Sequence, residues 1–438
     1  MKKQLGLVFF PAFDWAISST HPERQERLLY TRDQIVEEGL LDLPAIKEYK
    51  PRLAEYADVN RVHIGIPDIA ALITDAHLVS AGGAITAAQA VMNKEVERAF
   101  ALVRPPGHHA MRMVHGTRGF CTINIEAIMV EHLRQHYGIN KVAIVDTDVH
   151  HGDGTQDIFY HDPNTLFISF HQDGRTLYPG TGFIEEMGSP NALGTTMNIP
   201  LPPGTGDQGL HTVLDELILP VLNDFKPDII INSAGQDNHY SDPLANMAIT
   251  AQGYARMADK LKADIAVLEG GYSIEDALPY VNVGIILAMA GISYKKVVEP
   301  DIHKCPSQSK ATTEYIQTMV AKWQDIWRRR DVLAKQAKLD AGDFWHRKRS
   351  IYYDDSGISE YQKESIRLCS HCSGYYTVET EADRPGAGLQ TAFAAVIPRA
   401  ACPSCKAAGK DAVAAAKRQG HHKYYFLQDK QQDYLEKL

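Results

Sequence analysis

Short apolar runs alternate with longer amphipathic stretches between residues 5 and 291 of the chain. The short runs are predicted to be buried strands, and the longer stretches are predicted to be helices. This alternation is typical of an α/β fold in which helices flank a parallel sheet. The predicted strands cover residues 5–10, 99–103, 141–145, 165–170, 228–233 and 265–268.

The pattern changes after residue 300. Residues 307–341 are charged and helical in pattern, with Trp323, Trp327 and three consecutive arginines, which predicts a bridging helix. The 438 residues exceed what one core usually supports. We therefore predict a main domain over residues 1–300, a helical connector over 301–343 and a C-terminal four-cysteine region over 344–438. That last region is predicted to bury little core, which a structural metal would offset.

Composition and charge exclude some classes of partner. The formal charge of -9 argues against a nucleic-acid partner, because such binding depends on clustered Lys and Arg. The most apolar stretch, residues 281–292, contains glycines and is too short for a membrane span, so it is predicted to be a core helix. Residues 5–10 meet Pro11 and lack a cleavage site, which favours a first strand over a signal peptide. We therefore expect a cytoplasmic protein without a membrane partner.

Four of the six cysteines form two CxxC pairs separated by about thirty residues. Four thiolates in this pattern are typical of a structural zinc site that is closed to substrate. Disulfides or a redox pair are the alternatives. The predicted ligands are Cys369, Cys372, Cys402 and Cys405.

Histidine and carboxylate residues cluster after the predicted strands, in residues 104–110 (RPPGHHA) and 146–154 (DTDVHHGDG). Along an extended strand Asp146, Asp148 and His150 would share one face, so one metal ion could contact a carboxylate and an imidazole. Asp237, which follows the strand at 228–233, could add a second carboxylate. Three protein ligands leave a position for water, which is the catalytic zinc pattern. Tyr272, after two glycines, could donate a hydrogen bond to an oxyanion.

These motifs closely resemble the zinc-dependent histone deacetylase family, which also contains acetylpolyamine amidohydrolases. The resemblance runs from residue 21 to residue 272 and does not reach the four-cysteine tail. The EGGY motif resembles the form found in the class II branch. It implies an arginase/deacetylase-like α/β fold for the main domain. The motifs occur in family order: HPE (21–23), RPPGHHA, GFC (119–121), DxDxHHGDG, PGTG (179–182), SAGxD (233–237) and EGGY (269–272).

The resemblance implies a role for each candidate residue. In the family, one histidine of the pair acts as general base and then as acid, here His109, while His108 gives electrostatic support. Tyr272 would stabilise the oxyanion, and Asp146 and Asp153 would orient the two histidines. The resemblance also implies a potassium ion beneath the zinc, held by Asp146 and backbone oxygens. The implied catalytic zinc ligands are Asp148, His150 and Asp237.

The same resemblance implies an acyl-lysine tunnel. Its walls would include Gly119, Phe120 and Tyr178, of which Tyr178 replaces the commoner Phe. Leu244 matches a position where polyamine-specific relatives carry Glu. The apolar side chain at this position argues against a polyamine substrate. Asp68 is a candidate for the rim aspartate that holds the substrate backbone.

Three functions remain open from the sequence. The first is a zinc amidohydrolase that removes acetyl or related short acyl groups from lysine side chains of a peptide or protein. The second is a deacetylase of small acetylated amines such as acetylpolyamines. The third is an acyl-lysine-binding scaffold without turnover, against which the retained His109 and Tyr272 argue. Whether the tail recruits a partner, covers the active site or forms a homo-oligomer is also open.

Overall fold

A computed structural model describes residues 3–438 of the chain. Each predicted strand overlaps an observed one, which confirms the α/β prediction. The first ten strands are β1 (Lys3–Phe10), β2 (Ile46–Tyr49), β3 (Ile64–Gly65), β4 (Val96–Val103), β5 (Met113–Val114), β6 (Val142–Asp146), β7 (Thr165–Gln172), β8 (Thr196–Leu201), β9 (Ile229–Ala234) and β10 (Ile265–Leu268). The six that follow are β11 (Phe344–Tyr353), β12 (Ile358–Arg367), β13 (Tyr376–Arg384), β14 (Gly388–Ile397), β15 (Tyr424–Asp429) and β16 (Tyr434–Lys437).

Helices fill most of the connections. They are α1 (Glu26–Glu37), α2 (Tyr56–Asn60), α3 (Asp75–Met92), α4 (Ile125–Tyr137), α5 (Asp153–Phe159), α6 (Asp207–Val213), α7 (Leu219–Phe225), α8 (Ala251–Leu261), α9 (Leu278–Met289), α10 (Lys310–Ala341) and α11 (Pro403–Gln419). The predicted core helix near residues 281–292 is α9, and the predicted bridging helix is α10. No helix within residues 3–438 is long and apolar enough to cross a membrane.

The main sheet has eight strands in the order β2-β1-β4-β10-β9-β6-β7-β8, all of them parallel. Its central strands are buried on both faces, which explains why they are continuous apolar runs rather than alternating ones. Two large apolar clusters, one around Phe170 and Leu268 and one around Phe167 and Val267, pack against it. Because all strands point the same way, their carboxyl ends meet at one edge.

The connector helix α10 packs against this domain through its two tryptophans. Trp323 is fully buried and donates a hydrogen bond from Nε1 to the Asn198 carbonyl oxygen at 2.7 Å. Trp327 donates one to Asp224 at 2.9 Å. The charged positions of α10 therefore face solvent while one stripe is anchored to the main domain. The division of the chain at residues 300 and 343 stays a prediction.

The C-terminal region differs from the expectation of a small module with little core. It forms a six-stranded sheet, β11-β12-β13-β14-β15-β16, that is antiparallel except for the parallel β14–β15 pair. Helix α11 connects these two strands and packs on one face of the sheet. On the other face Ile366, Val378 and Phe426 form a cluster with Ile64 and Met113 of the main domain. The region therefore has apolar core on both faces of its sheet.

Candidate active site

The predicted site residues collect at the carboxyl edge of the main sheet. Asp146 is the last residue of β6, and His108 lies five residues beyond the end of β4. Asp237 follows β9, and Tyr272 follows β10. Since β4, β10, β9 and β6 are consecutive neighbours in the sheet, four segments that are distant in sequence deliver their side chains to one place.

Asp148, His150 and Asp237 form a compact group whose candidate ligand atoms all lie within 4.8 Å of one another. The Nδ1 atom of His150 is 3.1 Å from an oxygen of each carboxylate. Asp148 and His150 do not reach the site by the strand alternation that the sequence predicts, because β6 ends at Asp146 and the chain turns after it. The Asp148 amide N–H donates to the Asp146 carboxylate at 3.1 Å within that turn.

The donor set fits a divalent cation. Backbone N–H groups orient both carboxylates. Asp148 accepts from Gly270 at 2.7 Å and from His150 at 2.9 Å, and Asp237 accepts from Val149 at 2.8 Å. Burial and the neighbouring Asp148 raise the pKa of Asp237 to about 7. Burial lowers the pKa of His150, but Asp148 and Asp237 outweigh it and raise that pKa to about 10. Two buried carboxylates that face each other favour a positive charge between them, which a metal ion can supply.

Gly270 permits the close approach of these carboxylates. A Cβ atom at this position would stand 2.3 Å from an oxygen of Asp237 and 2.6 Å from one of Asp148. Real Cβ contacts are never that short, so any other residue would displace both carboxylates. The first glycine of the EGGY motif is therefore required by space at the candidate metal site.

The two histidines of RPPGHHA lie beside this group, each paired with a carboxylate. His108 Nδ1 is 3.1 Å from Asp146 Oδ2, and His109 Nδ1 is 2.8 Å from Asp153 Oδ1. Burial lowers the pKa of His108, but Asp148 and Asp146 outweigh it and raise that pKa to about 10. Burial and the neighbouring His108 hold the pKa of His109 well below its ordinary value. Of the two, His109 is the histidine whose surroundings favour the neutral form.

Aromatic side chains border the group towards the surface. The ring of Tyr178 lies 5.2 Å from that of His109 and 6.3 Å from that of His150. The Phe120 ring meets the Tyr272 ring edge-on at 5.6 Å. Phe120 and Tyr178 are partly exposed, whereas Tyr272 is buried, and burial raises its pKa so that the phenol keeps its proton. We call Gly119, Phe120 and Tyr178 the entrance residues.

The two predicted rim residues are placed differently. Leu244 is half-buried, and its backbone N–H donates to Asp242, which also accepts the Tyr272 N–H at 2.7 Å. Asp242 therefore ties the Leu244 loop to the EGGY turn. Asp68 is exposed and caps a short helical turn (Ile69–Ala71) by accepting the Ala70 N–H at 3.1 Å.

Comparisons with known proteins agree with this geometry. Residues 69–284 match the model of the histone deacetylase domain. A probable deacetylase of Archaeoglobus fulgidus is 50% identical over 311 residues, which cover 65% of this chain and 85% of that protein. The chain belongs to the histone deacetylase family. It is accordingly a hydrolase of the deacetylase and amidohydrolase type.

Other family members share the fold and parts of the sequence. The crystal structure of the HDA15 HD domain superposes with a TM-score of 0.66 at 27% identity, over 78% of this chain and 99% of that one. A histone deacetylase-like amidohydrolase of Pseudomonas aeruginosa is 35% identical over 223 residues, which cover 49% of this chain and 58% of that protein. Family membership implies a catalytic zinc ion, and Asp148, His150 and Asp237 are suitable residues to hold it.

Sequence reasoning missed several residues that hold this deacetylase site together. Glu269 accepts the backbone N–H groups of Gly107 and His108 at 2.8 and 3.0 Å. Arg27 donates to the Gly271 carbonyl oxygen at 2.7 Å and to Glu23 at 2.9 Å. Arg118 forms an ion pair with Asp153 at 2.6 Å. Glu23 and Glu269 lie inside the recognised HPE and EGGY motifs, but only the fold reveals what they contact.

The four cysteines of the tail also come together. Their sulfur atoms lie within 4.8 Å of one another, although the two pairs belong to different elements. One pair occupies the loop between β12 and β13, and the other begins α11. Four thiols that converge in this way are a plausible structural metal site.

Proposed function

We propose that the chain removes acetyl or related short acyl groups from lysine side chains of peptides or proteins. The carrying observation is the convergence of three components at one buried place: the ligand group of Asp148, His150 and Asp237, the paired histidines, and Tyr272. A scaffold that only binds acyl-lysine would need neither a neutral histidine paired with a carboxylate nor a protonated phenol.

Each residue has a defined task in the proposed hydrolysis. Zinc held by Asp148, His150 and Asp237 would supply a Lewis acid that activates water and polarises the acyl carbonyl. Asp153 binds His109 Nδ1, which leaves Nε2 of that ring free to take a proton from water and return it to the leaving amine. Tyr272 donates its phenolic proton in a hydrogen bond to the developing oxyanion.

The remaining contacts keep these groups in place. Asp146 binds His108 Nδ1 and orients that ring, whose proposed role is electrostatic support. Glu269 holds the backbone that carries the histidine pair. The family resemblance adds a potassium ion near Asp146. The two CxxC pairs add a structural zinc ion at the four cysteines, and both ions belong to the same proposal.

Substrate choice is the finer part of the proposal. Half-buried Leu244 offers no charge to a distal ammonium group, which favours acyl-lysine over acetylpolyamine. The test is a panel of acetyl-lysine and short-chain acyl-lysine peptides and acetylated polyamines, assayed before and after zinc chelation and zinc re-addition. We expect turnover of peptides that a chelator abolishes and zinc restores. Preferential turnover of polyamines would assign the small-amine function instead.

A phenylalanine variant tests the role of Tyr272. Tyr272→Phe removes only the hydroxyl, so we expect kcat to fall by about 10² to 10³, the cost of losing one oxyanion donor. Binding of the acyl-lysine peptide should persist. The matched control is Tyr280→Phe, the same change at a half-buried position on α9, which should leave kcat unchanged. Wild-type turnover by Tyr272→Phe would remove this residue from the mechanism.

A further inference from the structure

The turn between β11 and β12 reaches from the C-terminal sheet to the entrance residues. We call Asp354, Asp355, Ser356 and Gly357 the hairpin tip. The Gly119 N–H donates to Asp354 Oδ1 at 3.0 Å, and the Phe120 N–H donates to Asp355 Oδ2 at 2.7 Å. The hairpin tip lies far outside residues 69–284, the part of the chain that matches the family model.

Ser356 extends the same contact by one further position. Its Oγ accepts the Thr117 N–H at 2.8 Å and lies 3.4 Å from the Thr117 carbonyl oxygen. A Cβ atom on Gly116 would stand 2.5 Å from this hydroxyl oxygen, so the Ser356 side chain packs directly against the Gly116 backbone. Three backbone N–H groups of the segment 117–120 therefore depend on acceptors from the hairpin tip.

The backbone held in this way has an unusual conformation. Gly119 and Phe120 both have positive φ, +51° and +68°. Left-handed backbone is disfavoured for a residue with a Cβ, and a bulky Phe adopts it only where its surroundings compensate. The two carboxylates of the hairpin tip each accept one of these two N–H groups, which stabilises the conformation that presents the Phe120 ring.

The hairpin tip also holds the opposite entrance residue. The Tyr178 hydroxyl donates to Asp354 Oδ1 at 3.1 Å. One carboxylate thus binds both the Gly119 backbone and the Tyr178 side chain. The Tyr178 ring contacts His109, and the Phe120 ring contacts Tyr272. Each entrance ring therefore connects a carboxylate of the C-terminal sheet to a residue of the proposed mechanism.

We propose that the hairpin tip is a working part of the active-site entrance, in which Asp354 and Asp355 are positioning residues for Tyr178 and Phe120. This inference rests on the proposed function. It gives the C-terminal sheet a role in acyl-substrate recognition, through the rings of Tyr178 and Phe120 beside the proposed catalytic residues. The carboxylates act as hydrogen-bond acceptors and do not touch the reacting atoms.

The first measurement is hydrogen exchange of the entrance amides in the full-length chain. Asp354→Ala and Asp355→Ala remove the acceptors of the Gly119 and Phe120 N–H groups, so these amides should exchange about tenfold faster or more than in the wild type. Asp411→Ala is the matched control, because Asp411 is an exposed carboxylate on α11 of the same region. Unchanged exchange at both amides would overturn the proposal.

The second measurement is turnover of an acetyl-lysine peptide, with melting temperature and zinc content recorded for every variant. We expect each Ala variant to lose about tenfold in kcat/KM with zinc content retained, since misplaced entrance rings no longer orient the acyl group. Asp354→Asn and Asp355→Asn keep an oxygen acceptor and should recover activity to within about threefold of the wild type. Asp411→Ala should behave like the wild type.

The outcomes separate this inference from the function on which it rests. Ala variants with wild-type kcat/KM would overturn the positioning role, as would Asn variants as impaired as the Ala variants, because charge rather than acceptor geometry would then matter. A wild-type chain without turnover on any acyl substrate would overturn the proposed function itself.

Discussion

At the scale of single side chains, buried charged residues hold the EGGY turn (269–272) in place. Arg27 is fully buried, and its guanidinium lies 4.9 Å from the centre of the Tyr272 ring. It donates to the carbonyl oxygens of Glu269 and Gly271, and it shares the carboxylate of Glu23 with Arg104. A charge with all its hydrogen bonds made is tolerable in a core, whereas a half-made network is costly. The position of Tyr272 thus depends on a residue that no substrate touches.

Replacement of Arg27 tests this dependence. Arg27→Met keeps an unbranched side chain but leaves two buried carbonyl oxygens without donors, while Glu23 keeps its ion pair with Arg104. We expect the free energy of unfolding to fall by about 1 to 3 kcal/mol for each carbonyl oxygen that loses its donor, and kcat to fall as well. Urea unfolding and kinetics measure both. Arg24→Met, at a partly exposed position, should change stability by less than about 0.5 kcal/mol, and equal effects of the two changes would refute the argument.

His63 makes stability depend on pH. It is fully buried, donates from Nδ1 to the Met111 carbonyl oxygen and accepts the Asn124 N–H at Nε2, both at 2.8 Å. Burial lowers the pKa of His63 to about 3. Between pH 6.5 and 3, His63 is therefore protonated in the unfolded chain but neutral in the folded chain. Stability should fall as pH decreases through this window, by about 1.4 kcal/mol per pH unit for one proton.

The measurement is the free energy of unfolding at pH 7.5 and 5.5 for the wild type and His63→Gln. Glutamine can donate and accept at this position but does not titrate. Between these two pH values, the free energy of unfolding should fall less in the variant than in the wild type, by roughly the contribution of one proton. Other buried groups contribute equally to both proteins. An equal fall in both proteins would show that His63 does not set this dependence.

At the scale of elements, the four-cysteine group ties a loop to a helix. The first pair lies between β12 and β13, and the second begins α11, which packs across β14 and β15. Helix α11 covers one face of the C-terminal sheet, so its attachment decides whether that face stays buried. A metal at this point would fasten the helix at its first turn, the end that leaves unpaired N–H groups.

Zinc content provides the test of this element. We expect two zinc ions per wild-type chain and one in the Cys369→Ser/Cys402→Ser double variant, with easier proteolysis around α11. Cys305→Ser, which removes a partly exposed thiol elsewhere, should keep two ions. Metal analysis, limited proteolysis and thiol titration would be used. Unchanged zinc content, or disulfides in the wild type under non-reducing conditions, would contradict the structural metal.

At the scale of the whole molecule, the C-terminal sheet is packed against the catalytic domain. Its inner face shares one apolar cluster with Ile64 and Met113. Buried ion pairs accompany this cluster, since Arg347 pairs with both Asp157 on α5 and Glu364 on β12. Helix α5 begins at Asp153, the partner of His109. The sheet therefore supports the helix that carries part of the site.

Removal of residues 344–438 should disable the protein. The truncation exposes the apolar surface around Ile64 and Met113 and leaves Asp157 without its arginine partners. We expect low solubility, a lower melting temperature and loss of turnover towards small and large substrates alike. A truncated chain that is soluble and has wild-type rates would refute this view of the assembly.

Point substitutions give a milder version of the same test. Val378 is 1% exposed within the shared cluster, whereas Leu389 is 52% exposed near the β13–β14 turn of the same sheet. Val378→Asp should destabilise the protein by several kcal/mol, because it buries an unpaired charge. Leu389→Asp should be close to neutral. Thermal unfolding compares the two, and similar melting temperatures would contradict the packing argument.

The sequence by itself determined six of the eight strands of the main sheet and the candidate catalytic group. Buried parallel strands are continuous apolar runs, and their carboxyl ends must share an edge, so His108, Asp148, Asp237 and Tyr272 could be assembled without coordinates. The CxxC pairs likewise predicted a group of four thiols. In each case a short local pattern carries the information, and for the catalytic residues the parallel topology supplies the proximity.

Only the tertiary structure decided the remaining features, because they depend on contacts between distant segments. The inward face of β12 carries Glu360, Gln362 and Glu364, which are buried because Tyr353, Thr380 and two arginines satisfy them. Polar residues on a buried face conceal the alternation that would have predicted this sheet. For the same reason the partners of Arg27 and Glu269 and the contact of the hairpin tip with the entrance residues could not be inferred. Hydrogen bonds between segments hundreds of residues apart leave no periodicity in the chain.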